Sequence, residues 1–280
     1  MALKRVAIQG YSGSFHHIVA EAIEGGEVEI VACDTFRRVA QAVERREVDY
    51  GIMAIENSIA GSILPNYNLL QHCNLSISGE AYLQISQNLM VNRGVGLEDI
   101  REVESHQMAL LQCSDFLEEH HWRLVESVDT ALSAAELQRS GSRTTAVIAS
   151  ALAARLFNLD IVASDIQTSK DNYTRFLRLD YCDRKSVEPM PHAGYNRASL
   201  CFQIPNKAGS LYEALGCFEG YELNMTKLQS YPIPTEPWHY MFHTDIDFAD
   251  STLFMKAIER LREMGVEVHI YGVYQKGKNL

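Results

Sequence analysis

Within its first 55 residues the chain spells three short β-rich runs separated by helix-periodic segments, and that alternation restricts the fold more than any other feature. KRVAIQ (residues 4–9) leads into the glycine turn GYSGSF and an apolar-periodic stretch ending at Gly25 and Gly26. VEIVAC (28–33) follows, then a segment from Thr35 to Arg46 in which Phe36, Val39, Ala40 and Val43 recur at helical spacing, then VDYGIMAI (48–55). A lone strand or amphipathic helix leaves an apolar face in water. Strands alternating with helices bury those faces as a parallel α/β sheet covered by helices.

The pattern repeats further along. Residues 81–91 read as extended, REVESH as a strand ending at His106, and Gln107 to Glu119 as a helix. WRLVESV (122–128) is strand-like, Thr130 to Gln138 is an alanine-rich helix that Asp129 is placed to cap, and TAVIAS (145–150) and ALAARLFNL supply one more strand and helix. Two α/β lobes in tandem follow, with a ligand cleft between them at the carboxyl ends of the strands. Residues 182–195 hold prolines and no periodicity, and read as a linker. Beyond it come a strand (197–204), a helix (209–219), strands at 223–231 and 238–247, a helix (251–264) and a strand (266–274). That β-α-β-β-α-β order is the ferredoxin-like plan.

A length of 280 residues suits two or three such units, and 46% hydrophobic content is ample for their cores. The net charge of −11 argues against a nucleic-acid binder, whose affinity rests on Lys and Arg neutralising phosphates. A small anionic substrate is not excluded, because distant charge is screened by salt. The six cysteines are scattered with no CxxC pair, which supports neither structural zinc nor a disulfide framework. The N-terminus runs into a strand without the apolar core of a signal peptide, and no apolar run approaches the ~20 residues needed to span a bilayer. A soluble cytoplasmic protein with no membrane or nucleic-acid partner is expected.

Individual motifs are less decisive. The turn from Gly10 to Phe15 lacks GxGxxG and GK[ST] and reads as a structural strand-to-helix turn, although N–H groups at a helix start can hold a carboxylate. Glu56-Asn57-Ser58 lies just past a buried-looking strand, where polar groups either face a cleft or cap the next helix. Ser105-His106 repeats that placement. In the alternating segment from Asn172 to Phe176, Arg175 offers a planar fork suited to a carboxylate and Thr174 a hydroxyl. His16-His17 and His120-His121 read as solvated surface, since neighbours on a helix point different ways and make no ligand face. No GxSxG or HExxH occurs, and spacing alone does not reveal the reaction.

Taken together, these segments resemble the prephenate dehydratase family across nearly the whole chain. Gly10, Gly13 and Phe15 match its N-terminal glycine turn, with Ser14 where Thr is usual and His16 where Ser is common. Glu56, Asn57, Ser58 and Gly61 match ENS-xx-G, with Ala54 replacing the usual Pro. Ser105 to Leu110 and Cys113 match SHPQAL-xx-C, departing from Pro-Gln at Gln107 and Met108. Asp129-Thr130-Ala131 matches DTA, and Asn172 to Phe176 matches N-x-TRF. The C-terminal part resembles the family's ACT domain, with Ala208-Gly209-Ser210-Leu211 at the effector-binding PGAL and Gln229-Ser230-Tyr231-Pro232 at ESRP.

The resemblance implies an α/β architecture: a two-lobed, periplasmic-binding-protein-like catalytic domain over residues 1–181, its second lobe about 81–165, and a ferredoxin-like ACT domain over 196–280. It implies dehydration and decarboxylation of prephenate to phenylpyruvate in phenylalanine synthesis, driven by aromatisation and needing neither cofactor nor metal. Arogenate dehydratase and a non-catalytic amino-acid sensor are the alternatives. Thr174 is expected to contact the leaving hydroxyl and Arg175 a substrate carboxylate. Asn57, Ser58, Ser105 and Thr130 are expected to line the cleft as neutral donors, joined by His106, Asn172 and Phe176. Glu56 is expected to point away or to hold Asn57 and Arg175 in place. L-Phenylalanine is the expected effector, bound at residues 208–211 and Asn224 in a homo-oligomer, dimer or tetramer, that pairs through its ACT domains.

Overall fold

The computed structural model describes residues 2–183, 187–233 and 239–280. Residues 184–186 of the expected linker and Trp238 of an expected strand lie outside the described residues. The first lobe contains β1 (Arg5–Gln9), α1 (Phe15–Glu24), β2 (Glu29–Cys33), α2 (Phe36–Glu44), β3 (Tyr50–Asn57), β4 (Gly61–Ser62), α3 (Leu64–His72) and β5 (Leu75–Gln84). The second contains β6 (Asn88–Val91), β7 (Glu102–His106), α4 (Gln107–Gln112), α5 (Ser114–Glu118), β8 (Arg123–Ser127), α6 (Thr130–Ser140), β9 (Thr145–Ala149), α7 (Ala151–Phe157) and β10 (Asp160–Ala163). The chain then returns to the first lobe as β11 (Tyr173–Tyr181). A third unit follows, with β12 (Arg197–Gln203), α8 (Ser210–Gly220), β13 (Asn224–Pro232), β14 (Tyr240–Asp247), α9 (Ser251–Glu263) and β15 (Glu267–Tyr274).

The first sheet runs β2-β1-β3-β11-β5, with β4 beside β3. Its β1, β2 and β3 are parallel, while β11 is antiparallel to both β3 and β5. The second sheet runs β10-β6-β9-β7-β8, parallel among β7, β8 and β9 and antiparallel at β6 and β10. Both sheets are therefore mixed. The alternation of strand and helix accounts for their parallel parts; β11, on which the chain returns to the first lobe, and β6, on which it enters the second, supply the antiparallel pairings. Residues 81–84, placed by sequence at the start of the second lobe, finish β5 and pair with β11.

The third sheet runs β13-β14-β12-β15, with every pair antiparallel, and α8 and α9 bury Phe218, Phe254, Ile258 and Leu261 in its core. This unit seats directly on β5. A side chain at Gly272 would place its Cβ 2.0 Å from the Ile77 carbonyl oxygen, and one at Gly277 2.2 Å from that of Glu80. Tyr271, Tyr274 and Cys201 share a core with Met53, Ile55, Ile77 and Leu177 of the first lobe. One face of the first sheet therefore carries the third unit, and the other carries α1.

Candidate active site

A cleft of about 220 Å³ opens between the two lobes at the carboxyl ends of their parallel strands. From the first lobe it is lined by Gln9, Ser14, His16, Asn57, Thr174 and Phe176, and from the second by His106, Asp129 and Thr130. β11 supplies Thr174 and Phe176 because successive side chains of a strand alternate between faces. Thr174 lies opposite Asn57 of β3 in register, which brings the middle of one motif onto the middle of another more than a hundred residues away.

Asn57 fixes the chemistry of that contact. Its Oδ1 accepts from the backbone N–H groups of Ile59 (3.0 Å) and Ala60 (2.9 Å), so the other end of the amide must be the NH₂. Nδ2 then donates to Thr174 Oγ1 at 2.9 Å and to Asn172 Oδ1 at 2.6 Å. The Thr174 oxygen is an acceptor towards Asn57, which leaves its own O–H available for a ligand. Across the cleft, His106 Nδ1 accepts from the N–H of Met108 at 3.2 Å, capping α4. In the neutral ring the proton therefore sits on Nε2. Asp129 caps α6 through Oδ1 to the N–H of Leu132 at 2.9 Å, and burial raises its carboxyl above the usual range.

Several expected site residues face elsewhere. Arg175 occupies the opposite face of β11 and is 6% exposed. Its Nε donates to Glu80 Oε2 at 2.7 Å, its Nη2 to the Tyr274 hydroxyl at 3.1 Å, and its Nη1 to Asp245. Burial works against both charges, yet the pairing holds Arg175 well above and Asp245 below their ordinary ranges. Arg197 completes the group, binding Glu80 Oε1 at 2.6 Å and Asp247 at 2.7 Å. Arg175 is thus a seam residue between the first lobe and the third unit. Glu56 points the same way and pairs with Lys227 of β13 at 2.7 Å. It holds neither Asn57 nor Arg175.

Ser58 is exposed. Its hydroxyl donates to the carbonyl of Asp171 (3.0 Å) and accepts from the N–H of Tyr173 (2.9 Å), bracing the loop before β11. Ser105 is fully buried, with its hydroxyl donating to the Ile148 carbonyl at 2.7 Å. Asn172 sits behind Asn57, and its Nδ2 is buried without a partner. None of these three lines the cleft. Ser14, His16, Gln9 and Asp129 do, and the sequence-based assignment of site residues omits them. Asp129 carried a signal, lying at the end of a strand, but capping accounted for it. His16 and His17 are buried, contrary to the surface expectation, because α1 is enclosed by the sheet on one side and by α7 of the second lobe at its start. Burial pushes the His16 ring down to about 3. Among the described residues no group of three or more His, Cys, Asp or Glu side chains is placed to hold a metal ion.

A second cavity, of about 300 Å³, lies on the third unit beside Lys207, Gly209, Leu211, Tyr212, Tyr240 and Phe242. Gly209 starts α8 with φ +89°, a conformation few side chains tolerate. Ala208 and Ser210 flank the cavity in sequence without lining it. Asn224 is exposed at the far end of β13, opposite Asp247, while the cavity lies near the other end of the sheet, at Tyr240. It is separate from the Gly209 turn.

Residues 6–183 match the family model described as prephenate dehydratase. An Arabidopsis thaliana protein named arogenate dehydratase/prephenate dehydratase 2, chloroplastic, is 36% identical over 96% of this chain and 72% of its own length. The prephenate dehydratase of Arthrobacter aurescens, solved in complex with L-Phe, is 25% identical with a TM-score of 0.82 over 97% of this chain and 90% of its own. GqqA, described as a novel type of quorum quenching acylase, is 28% identical with a TM-score of 0.86 over 98% of both chains. By the match of its two lobes and by these relatives, the chain belongs to the prephenate dehydratase family.

Proposed function

We propose that the chain converts prephenate to phenylpyruvate in phenylalanine synthesis, with Thr174 as the donor to the departing hydroxyl. The observation that carries this is the direction of the Asn57–Thr174 hydrogen bond, which leaves the threonine O–H for a ligand. In the reaction the bond from the ring to its carboxylate breaks and releases carbon dioxide, and that electron pair aromatises the ring as the hydroxyl leaves. One proton is taken up to make water. Thr174 donates a hydrogen bond to that hydroxyl, and Asp129 and His106 face the same space. Holding the substrate in this geometry supplies most of the remaining acceleration. Purified protein should release phenylpyruvate from prephenate, with or without EDTA. No release would remove the assignment.

Arogenate, which carries an ammonium group in place of the keto group, is the second reading. Asp129, a carboxylate in the cleft wall, favours it. Comparing turnover on the two substrates separates them. An acylase activity like the one ascribed to GqqA has less support, because no hydroxyl lining the cleft is hydrogen-bonded to a histidine or carboxylate among the described residues.

We also read residues 1–181 as the catalytic domain and 196–280 as an ACT domain that binds phenylalanine at the Gly209 cavity in a homo-oligomer. The βαββαβ order, the left-handed Gly209 and the L-Phe complex of the Arthrobacter relative support this.

A further inference from the structure

No lysine or arginine lines the cleft among the described residues, and Arg175 is committed to the seam. An anionic ligand must then be held by neutral donors and backbone N–H groups. The start of α1 offers both. Its N-cap is Ser14, a residue type that normally turns its oxygen back onto the helix, yet no side-chain cap hydrogen bond forms. Ser14 is 5% exposed and His16 9% exposed. Ser14 Oγ and His16 Nε2 are both buried without a hydrogen-bond partner, and both residues line the cleft that Thr174 faces. Buried polar groups are almost always paired, so two orphans within one helical turn point to a missing partner. We propose that the N-terminus of α1, with Ser14 Oγ and His16 Nε2 as side-chain donors, is the seat of a substrate carboxylate.

The surroundings hold this seat in place. Gly10 and Gly13 have φ of +92° and +94°. A Cβ on Gly10 would lie 2.6 Å from Asp129 Oδ2, and one on Gly13 3.0 Å from Ala153 Cα. The turn is pressed against the second lobe, which keeps the start of α1 on the cleft wall. The His16 ring meets Phe176 edge-on at 4.9 Å and lies 5.6 Å from Phe36. Burial keeps it neutral, so it offers one N–H and no charge. The helix dipole supplies the positive end that favours an anion. Thr174 and Ser14 then address two ends of one ligand, the leaving hydroxyl and a carboxylate. The identity of the ligand rests on the prephenate reading above; the seat itself does not.

Calorimetric titration of the full chain with phenylpyruvate, 3-phenylpropionate and their methyl esters tests the seat without turnover. Wild type should bind the acids and bind the esters about tenfold or more weakly, the weight of one charge-assisted hydrogen bond. Ser14→Ala and His16→Phe should each lose about tenfold for the acids and little for the esters. Ser14→Ala alone decides the matter if His16→Phe does not fold. Equal binding of acid and ester by wild type, no binding of either acid, or acid binding unchanged in both variants, would overturn the seat. A wild type that binds the acids but does not turn over prephenate would instead overturn the assigned reaction and leave the seat standing.

Discussion

Replacing the Asn57 amide by a carboxylate would reverse its hydrogen bond to Thr174 with little change in shape. The threonine would then spend its proton on residue 57 and have none for the leaving hydroxyl. Asn57→Asp is therefore expected to lower kcat by about 10²-fold or more, as Thr174→Ala should, because a positioned proton donor typically contributes that much. Melting temperatures close to wild type would confirm intact folds. A variant with near-normal kcat would remove the Asn57–Thr174 pair from the mechanism. The buried histidines make a separate prediction about acid. His16 and His243 are held neutral by burial, at about 3 and about 4. The unfolded chain takes up both protons near 6.5. Between that value and the folded ones the unfolded state binds more protons, so stability must fall as pH falls. Two such groups give a slope of about 2.7 kcal/mol per pH unit near pH 5. Urea unfolding of His16→Phe between pH 5 and 6 should show roughly half of that slope gone. An unchanged slope would mean His16 is protonated in the folded state.

At the scale of elements, β11 carries the two halves of the molecule on its two faces. Thr174 and Phe176 look into the cleft, while Arg175 and Leu177 look into the third unit. Arg175→Gln leaves Glu80 and Asp245 buried with less than their countercharge, and breaking such a buried group typically costs about 3–5 kcal/mol. A large drop in melting temperature is expected, with KM for prephenate altered less than stability. A large rise in KM at unchanged stability would return Arg175 to substrate binding. The family resemblance singles out 172–176, yet strand alternation alone does not say which face meets the ligand. That depends on the third unit covering one side, a contact made by residues some 70 to 100 positions away. Elements with clear periodicity were legible: β1, α2, β3, α6 and the whole βαββαβ order lie within a few residues of expectation. α3 was not, because LPNYNLLQH opens with a proline in its first turn and presents no clean apolar stripe. Gln107 to Glu119 appeared as one helix, whereas the structure breaks it at Cys113.

For the whole molecule, the site positions were legible only as far as motif order places strand ends around a cleft. The seam between first lobe and third unit left no signature that spacing could reveal. If phenylalanine binds beside Gly209, it acts on catalysis only by favouring one arrangement of these bodies over another. Gly209→Val should then abolish both calorimetric binding of phenylalanine and inhibition by it, with the uninhibited rate retained. Inhibition that survives the substitution would place the effector in the catalytic cleft as a product-like competitor.

The close approach of β15 to β5 also bears on how such proteins can be rebuilt. With a Cβ at Gly272 only 2.0 Å from a main-chain oxygen, no side chain on the donor strand can be trimmed to fit. A foreign domain grafted onto the first lobe at this seam must arrive with glycine at that point and at Gly277, and with partners for Glu80 and Arg175. Interchange of the C-terminal unit is therefore restricted by the two missing side chains on which it sits.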